Sequence, residues 1–322
     1  GDDMGLRFAA ALSGVLLLAA PAWAQRFAFI AFGDMPHTVP ADYARVDRLV
    51  DRINAVRPAF SFFIGDTKSG SSPCTDEMIL RTKQTFDRIE GALIYSVGDN
   101  EWTDCHRARA GGFDPIERLA FVRRTHFADA NSLGRTPIRL VRQADVEPAR
   151  AKFVENSRWV HNDVLFVSVH IPGSNNNFEA RPGAPEEYFE RNAANIAWIR
   201  DAFRLARAEN RLGIVFGFQA DMWQEDKPRD DVSSGYADTL AALTQGAIEF
   251  AKPVLMIHGD THLLRVDQPL RDPRRRTVQN ATRLMVMGAD EIHAVRVIVD
   301  SAEPGLFGFM PLRVPENVTP AN

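Results

Sequence analysis

The chain has 322 residues, 45% of them hydrophobic, with 42 acidic against 38 basic side chains. That is enough apolar material for a large buried core, and the near balance of charge excludes a broad basic face for a nucleic-acid backbone. The one dense basic cluster, Arg271 to Arg276, is interrupted by Pro273 and reads as a solvated loop.

Met4 and Arg7 precede an apolar run from Phe8 to Ala22 that closes on Ala22-Trp23-Ala24. The run is shorter than the roughly 18 residues a spanning helix needs, and it ends on small residues, the pattern of a secretory signal peptide cut before Gln25. Residues 1–24 are therefore expected to be an N-terminal extension and leader, and 25–322 a single domain. The mature protein is expected to be periplasmic or secreted, with no membrane anchor after cleavage. Export also bears on the two cysteines, Cys74 and Cys105. An oxidising compartment favours their pairing, which would staple two loops on one sheet edge; two unrelated thiols are the alternative.

Past the leader, apolar stretches alternate with amphipathic ones in the βαβ manner, which favours one parallel-rich sheet. RFAFIAF at 26–32 predicts a strand, and over 43–56 Val46, Leu49, Val50, Ile53 and Val56 share one helical face that Pro58 ends. FSFFIG (60–65) predicts a second strand, 78–91 a helix and ALIYSVG (92–98) a third strand. A polar insert with a short helix near 114–127 leads to the strand DVLFVSVH (163–170) and a long helix over 186–210. The buried strands LGIVFGF (212–218) and PVLMIHG (253–259) flank a helix over 235–250. In the tail, HLLRVDQPL, RLMVMG and AVRVIVD predict a small antiparallel set.

Four strands end on the same step, Gly33-Asp34, Gly65-Asp66, Gly98-Asp99 and Gly259-Asp260. One such step is most simply a turn, with Gly at positive φ and Asp capping the next helix. Four of them at the carboxyl ends of an α/β sheet converge on one crevice, where carboxylates repel unless cations neutralise them. His37, His170, His258 and His262 lie at or just past strand ends, and mixed carboxylate and imidazole donors suit Mn, Fe, Zn or Ni. Two metals sharing a carboxylate and a bridging hydroxide make a clamp for in-line attack on phosphorus.

The blocks FGDMPH, FIGDTKSG, VGDNEW and HGDTH resemble in order and spacing those of the calcineurin-like metallophosphoesterases. That family's pattern is Asp-x-His, Gly-Asp, Gly-Asn-His-Asp/Glu, a His, then Gly-His-x-His, and the resemblance covers most of the mature chain. It implies a four-layered α/β/β/α sandwich of mixed sheets flanked by helices. It further implies an enzyme, a metal-dependent phosphoesterase cleaving a mono- or diester by attack of a metal-bridging hydroxide. Two divalent ions are implied, from among Mn, Fe, Zn, Mg and Ca. Carried over by position, Asp34 resembles the first-metal aspartate, Asp66 the carboxylate that bridges both metals and His262 the closing histidine. His37 comes one residue late, with Pro36 at the expected place.

The remaining blocks depart further. Asp99 falls where a ligating Asn is expected and Asn100 where the catalytic histidine is expected, and a one-residue slip would make Asn100 the ligand. Asp260, or else His258, replaces a histidine of the last block. The fourth block falls in VFGFQADMW, which holds Gln219 and Asp221 and no histidine, so His170 becomes the candidate replacement. Extra carboxylates make the second site harder and favour Mn, Mg or Ca. An amide cannot titrate, which leaves His37, His106 and His170 as candidate proton donors. Arg107 and Arg109 are candidates to fork phosphate oxygens, and Asn175, Asn176 and Asn177 to read hydroxyls. Trp102 and Trp223 are candidates to wall a substrate group or to pack in the core. The expected partner is a small phosphoester, with a catalytically degenerate, metal-stabilised binding protein of the cell envelope as the alternative.

Overall fold

The computed structural model describes Gly1, residues 25–224 and residues 234–319. The expected leader, with its Ala22-Trp23-Ala24 step, lies outside the described residues. In chain order the elements are β1 (Arg26–Phe32), α1 (Ala41–Val56), β2 (Ser61–Phe63), α2 (Asp76–Phe86), β3 (Leu93–Tyr95), α3 (Pro115–His126), β4 (Val141–Arg142), α4 (Gln143–Val146), β5 (Ser157–His161), β6 (Val164–Ser168), α5 (Gly173–Asn176), α6 (Ala184–Ala208), β7 (Gly213–Gly217), α7 (Ala237–Phe250), β8 (Val254–His258), β9 (Arg265–Asp267), β10 (Ala281–Met285), β11 (Ala294–Asp300) and β12 (Phe307–Leu312).

Local chemistry sets the helix limits. In α1 the buried side chains Val46, Leu49, Val50 and Ile53 recur at helical spacing, and Arg57 in the left-handed region just before Pro58 closes the helix. The Thr75 side chain accepts the Met78 amide at the start of α2, with Asp76 and Glu77 in its first turn. Asp114 caps α3 ahead of Pro115.

The strands form two sheets, ordered β12-β11-β1-β2-β3 and β4-β5-β6-β7-β8-β10-β9. Alternation along β1 shows why two are needed: Phe29 and Ala31 belong to one apolar cluster, Ile30 and Phe32 to another. The first cluster is the layer between the sheets, where Phe29, Phe62 and Ile64 meet Phe166, Val215 and Leu255. Helices α1, α2 and α3 cover the outside of the first sheet through Val50, Ile79 and Val122. Helices α6 and α7 cover the second through Trp198, Phe203 and Leu243. The result is a four-layered α/β/β/α sandwich, so the single parallel-rich sheet suggested by the βαβ rhythm divides in two.

The tail strands are not one antiparallel set. β10 lies parallel to β8, β9 runs antiparallel to β10, and β11 crosses to the other sheet to pair antiparallel with β1. Alternation marks a strand's two faces but not its neighbour, and these partners lie far apart in sequence. Cys74 and Cys105 form a disulfide with a Cα–Cα distance of 5.7 Å, joining the loop after β2 to the loop after β3. Among the described residues, no helix is long and apolar enough to cross a membrane.

Candidate metal centre

Both sheets point their strand ends at one cleft. Asp34, Asp66 and Asp99 follow β1, β2 and β3, while Gln219, Asp221 and Asp260 follow β7 and β8. The turns are unusual in that the aspartates carry the left-handed conformation, with φ 52° at Asp34, 56° at Asp66 and 75° at Asp260. Left-handed non-glycine residues cost energy and cluster at functional sites. Of the four glycines in these steps only Gly65 has positive φ. The others serve close approach: a Cβ at Gly98 would lie 2.2 Å from Asp66 Oδ1, and one at Gly259 would lie 2.1 Å from Asp34 Oδ2. The repeated Gly-Asp steps thus do more than turn the chain: they form a cradle built around two carboxylates.

Within the cradle, ligand atoms of Asp66, Asp99 and Asp260 all lie within 4.8 Å of one another. Asp66 Oδ1 accepts the Asn100 amide at 3.1 Å, and Oδ2 accepts Asn100 Nδ2 and Gln219 Nε2, both at 3.0 Å. Asp99 Oδ2 accepts Ser174 Oγ at 2.8 Å. Asp260 accepts the Asp221 amide at 3.0 Å, and its own amide donates to Asp34 Oδ2 at 3.0 Å. Glu101 lies behind them, accepting the Thr67 amide at 3.1 Å and the Tyr95 hydroxyl at 2.8 Å.

The electrostatics call for a cation. Burial first, and then Asp260, pushes the Asp34 carboxyl well above the carboxylate range. Burial followed by Asp99 and Glu101 does the same to Asp66. Asp34 Oδ1, Asp99 Oδ1 and Glu101 Oε2 are buried with no hydrogen-bond partner. Buried oxygens without donors, in a pocket whose acids resist ionisation, fit a divalent cation. Lys68, 1% exposed, donates from Nζ to the carbonyls of Ser69 at 3.0 Å and Ser72 at 2.9 Å, and burial lowers its pKa from the ordinary amine value against the pull of Glu101 and Asp66.

The cleft has a volume of about 810 Å³, and its lining includes His37, Asp66, Asp99, Asn100, Asp104, Arg107, Ser174, Tyr236, Asp260 and His262. Asp104 Oδ1 lies 2.6 Å from Ser174 Oγ, and Arg107 Nη1 lies 2.8 Å from Asp104 Oδ2. Burial first, and then Asp99, pushes the Asp104 carboxyl up to about 8. His262 Nε2 is 3.9 Å from Asp34 Oδ1. The His37 and His262 rings meet edge to face at 4.9 Å, and burial holds His37 down at about 4.

No protein-family model matches the chain, and no curated protein matches it. Among solved structures it is similar to GAP50, the anchor in the inner membrane complex of Plasmodium, at 10% identity over 90% of this chain and 89% of that one, with a TM-score of 0.50. It is equally similar to a purple acid phosphatase from yellow lupin (Lupinus luteus) seeds, at 10% identity over 94% of this chain, with a TM-score of 0.50. The chain spans 58% of the lupin protein. The fold is that of the metallophosphoesterases.

Within the metallophosphoesterase fold, Asp34, Asp66, Asp99, Asn100, Asp260 and His262 come together at the cleft, with Asp34 fully buried beneath it. Gln219 occupies the fourth-block place and turns its amide toward Asp66. His170, expected to replace the histidine missing there, does not line the cleft: its Nδ1 lies 2.8 Å from Glu155 Oε1 and its ring packs 5.4 Å from Trp102. His258 is buried against Phe218. His106 is exposed, with Nδ1 2.8 Å from the Thr103 carbonyl, and Arg109 is exposed too; neither lines the cleft. Asn175 does line it, whereas Asn176 is buried and braces Arg191 and the Gly235 carbonyl. Asn175 to Asn177 continue a left-handed run that begins at Ser174, a conformation Asn tolerates better than most residues. Trp102 is a core residue, and Trp223 stacks under Arg283 at 5.0 Å. Sequence reasoning missed Lys68, Glu101, Asp104, Ser174 and Tyr236. Glu101 was within reach, since it sits inside the block VGDNEW.

Proposed function

We propose that the cleft hydrolyses phosphate esters with the help of a divalent cation held by Asp66, Asp99 and Asp260. The observation that carries this reading is the convergence of those three carboxylates, two from one sheet and one from the other, within 4.8 Å, in a fold shared with a purple acid phosphatase. Bound there, a cation supplies positive charge for phosphoryl oxygens and acidity for water. Ser174 steadies Asp99 and Asp104 from one hydroxyl, and Arg107, anchored on Asp104, lines the cleft where phosphate oxygens would dock.

Asn100 shapes the chemistry by what it lacks. Its Nδ2 donates to Asp66 Oδ2 and to the Lys68 carbonyl, both at 3.0 Å, so only its carbonyl oxygen is left for the cleft. It positions substrate and protonates nothing. General-acid help is worth about a hundredfold to ten-thousandfold, so if neither His37 nor Asp104, which also line the cleft, supplies the proton, p-nitrophenyl esters are expected to hydrolyse faster than simple alkyl phosphates by a factor of that order beyond intrinsic reactivity. The disulfide and the leader-like residues 1–24 support export, to a periplasmic or secreted location.

The test uses purified protein with Mn²⁺, p-nitrophenyl phosphate and its bis ester. Hydrolysis that requires Mn²⁺ and falls about a hundredfold or more in Asp99→Asn is the expected outcome. Turnover undiminished by chelator would refute the reading. A second reading has support in Gln219 and Asn100 standing where the family pattern has histidines, and in the likeness to an anchor protein. It is a binding protein on the same fold, and cation binding without hydrolysis of either ester would select it.

A further inference from the structure

The family pattern has Asp66 bridging two metals. We infer that this centre takes one divalent cation, on Asp66, Asp99 and Asp260, and has no place for a second. The lone pairs of Asp66 set the limit. A carboxylate offers about four acceptor positions, two on each oxygen. On Oδ2 both are occupied, by Asn100 Nδ2 and Gln219 Nε2, and on Oδ1 one is taken by the Asn100 amide. Neither side-chain amide is free to turn around. Asn100 Nδ2 also meets the Lys68 carbonyl, which can only accept, and Gln219 Oε1 meets the Gly173 amide, which can only donate. One lone pair, on Oδ1, remains for a metal, and a bridge needs two.

The other half of a binuclear site is short of donors. Asp34 accepts one amide, that of Asp260, on Oδ2, and its buried Oδ1 has His262 Nε2 at 3.9 Å, so among the described residues this half brings two donors together where the other brings three. Among the described residues, the group of three converging donors is Asp66, Asp99 and Asp260. That group also holds an independent sign of a ligand: Asp99, 5% exposed, keeps Oδ1 buried and without a partner. Of the residues that match the family pattern cleanly, Asp66 joins the group of three while Asp34 and His262 do not, and Asp99 and Asp260, which stand in for other ligands, complete it. An all-oxygen donor set suits Mn²⁺, Mg²⁺ or Ca²⁺ over softer ions.

The inference rests on the reading that the cleft takes a cation, and its test needs no turnover. Protein stripped with chelator is dialysed against excess Mn²⁺; metal per chain is then measured by atomic emission and its environment by electron paramagnetic resonance. One Mn²⁺ per chain with the spectrum of an isolated ion is expected, and two per chain or an exchange-coupled spectrum would overturn the inference. Asp99→Asn and Asp260→Asn, each confirmed folded by thermal unfolding, are expected to weaken Mn²⁺ binding beyond the roughly 10- to 100-fold of an outer-shell change. His262→Ala is expected to keep one ion, and loss of the ion in that variant overturns the assignment. The wild-type count decides even where a variant fails to fold. Protein that binds one ion and hydrolyses neither ester keeps this inference and refutes the hydrolase; protein that hydrolyses with two ions does the reverse.

Discussion

A methyl group at Gly98 would sit 2.2 Å from Asp66 Oδ1 and 2.4 Å from the Asp66 amide nitrogen, so Gly98→Ala has to displace the carboxylate or the strand end. The expected result is a stability loss of about 1–3 kcal/mol together with weaker Mn²⁺ binding, read by thermal unfolding and metal titration. Unchanged affinity would remove Asp66 from the ligand set. At this scale the sequence was informative where a signal repeated. Four Gly-Asp steps marked Asp34, Asp66, Asp99 and Asp260, although the reason for the glycines lay in side chains that meet only after folding. Ser174 left no such signal, because its role depends on Asp99, 75 positions away. Lys68 carried a weak one, a lysine two residues after a strand-end aspartate.

Helices α1, α2 and α3 and the central strands were legible because each buries a face whose period is local. The edge strands β4 and β12, and β5 next to β4, were not: β4 has two residues, and β12 carries Gly308 and Pro311 within a partly exposed run. The tail was misassigned for a different reason, since β11 and β10 have the same pattern and belong to different sheets. The cysteine pairing followed from compartment and spacing alone. Its consequence is local to two elements, because the disulfide closes a separation of 31 residues and ties the loop bearing Asp66 to the loop bearing Asp99. Replacing Cys74 and Cys105 by serine is expected to cost about 3–4 kcal/mol on the chain-entropy estimate and to weaken Mn²⁺ binding at the same time. Denaturant unfolding and metal titration on one preparation check both, and a stability loss with full affinity would mean that packing alone orders the loops.

Across the whole molecule, the buried acids couple folding to pH. Asp104 is held at about 8, and Asp34 and Asp66 also lie above their ordinary value of 3.8. A carboxyl raised on folding binds protons the unfolded chain has released, so its contribution to stability falls as pH rises through the interval between the two values. His37 and His258, held down at about 4, act with the opposite sign, but only below their ordinary value of 6.5. Between pH 6.5 and 8 the carboxylates decide the slope, and cation-free protein is expected to melt a few degrees lower at pH 8 than at pH 6.5. Saturating Mn²⁺ should abolish that slope; a slope unchanged by Mn²⁺ would place the acids outside the cation's reach. The same three ligands have a mechanical side. Asp66 and Asp99 hang from the first sheet and Asp260 from the second, so an ion among them rivets the open end of a seam whose interior is closed by contacts such as Phe29 against Phe166 at 5.3 Å. Drawing the rivet leaves each sheet intact and lets their ends part, so chelation is expected to speed hydrogen exchange at the amides of Asn100 and Asp260 while those of Val215 and Leu255 keep their protection.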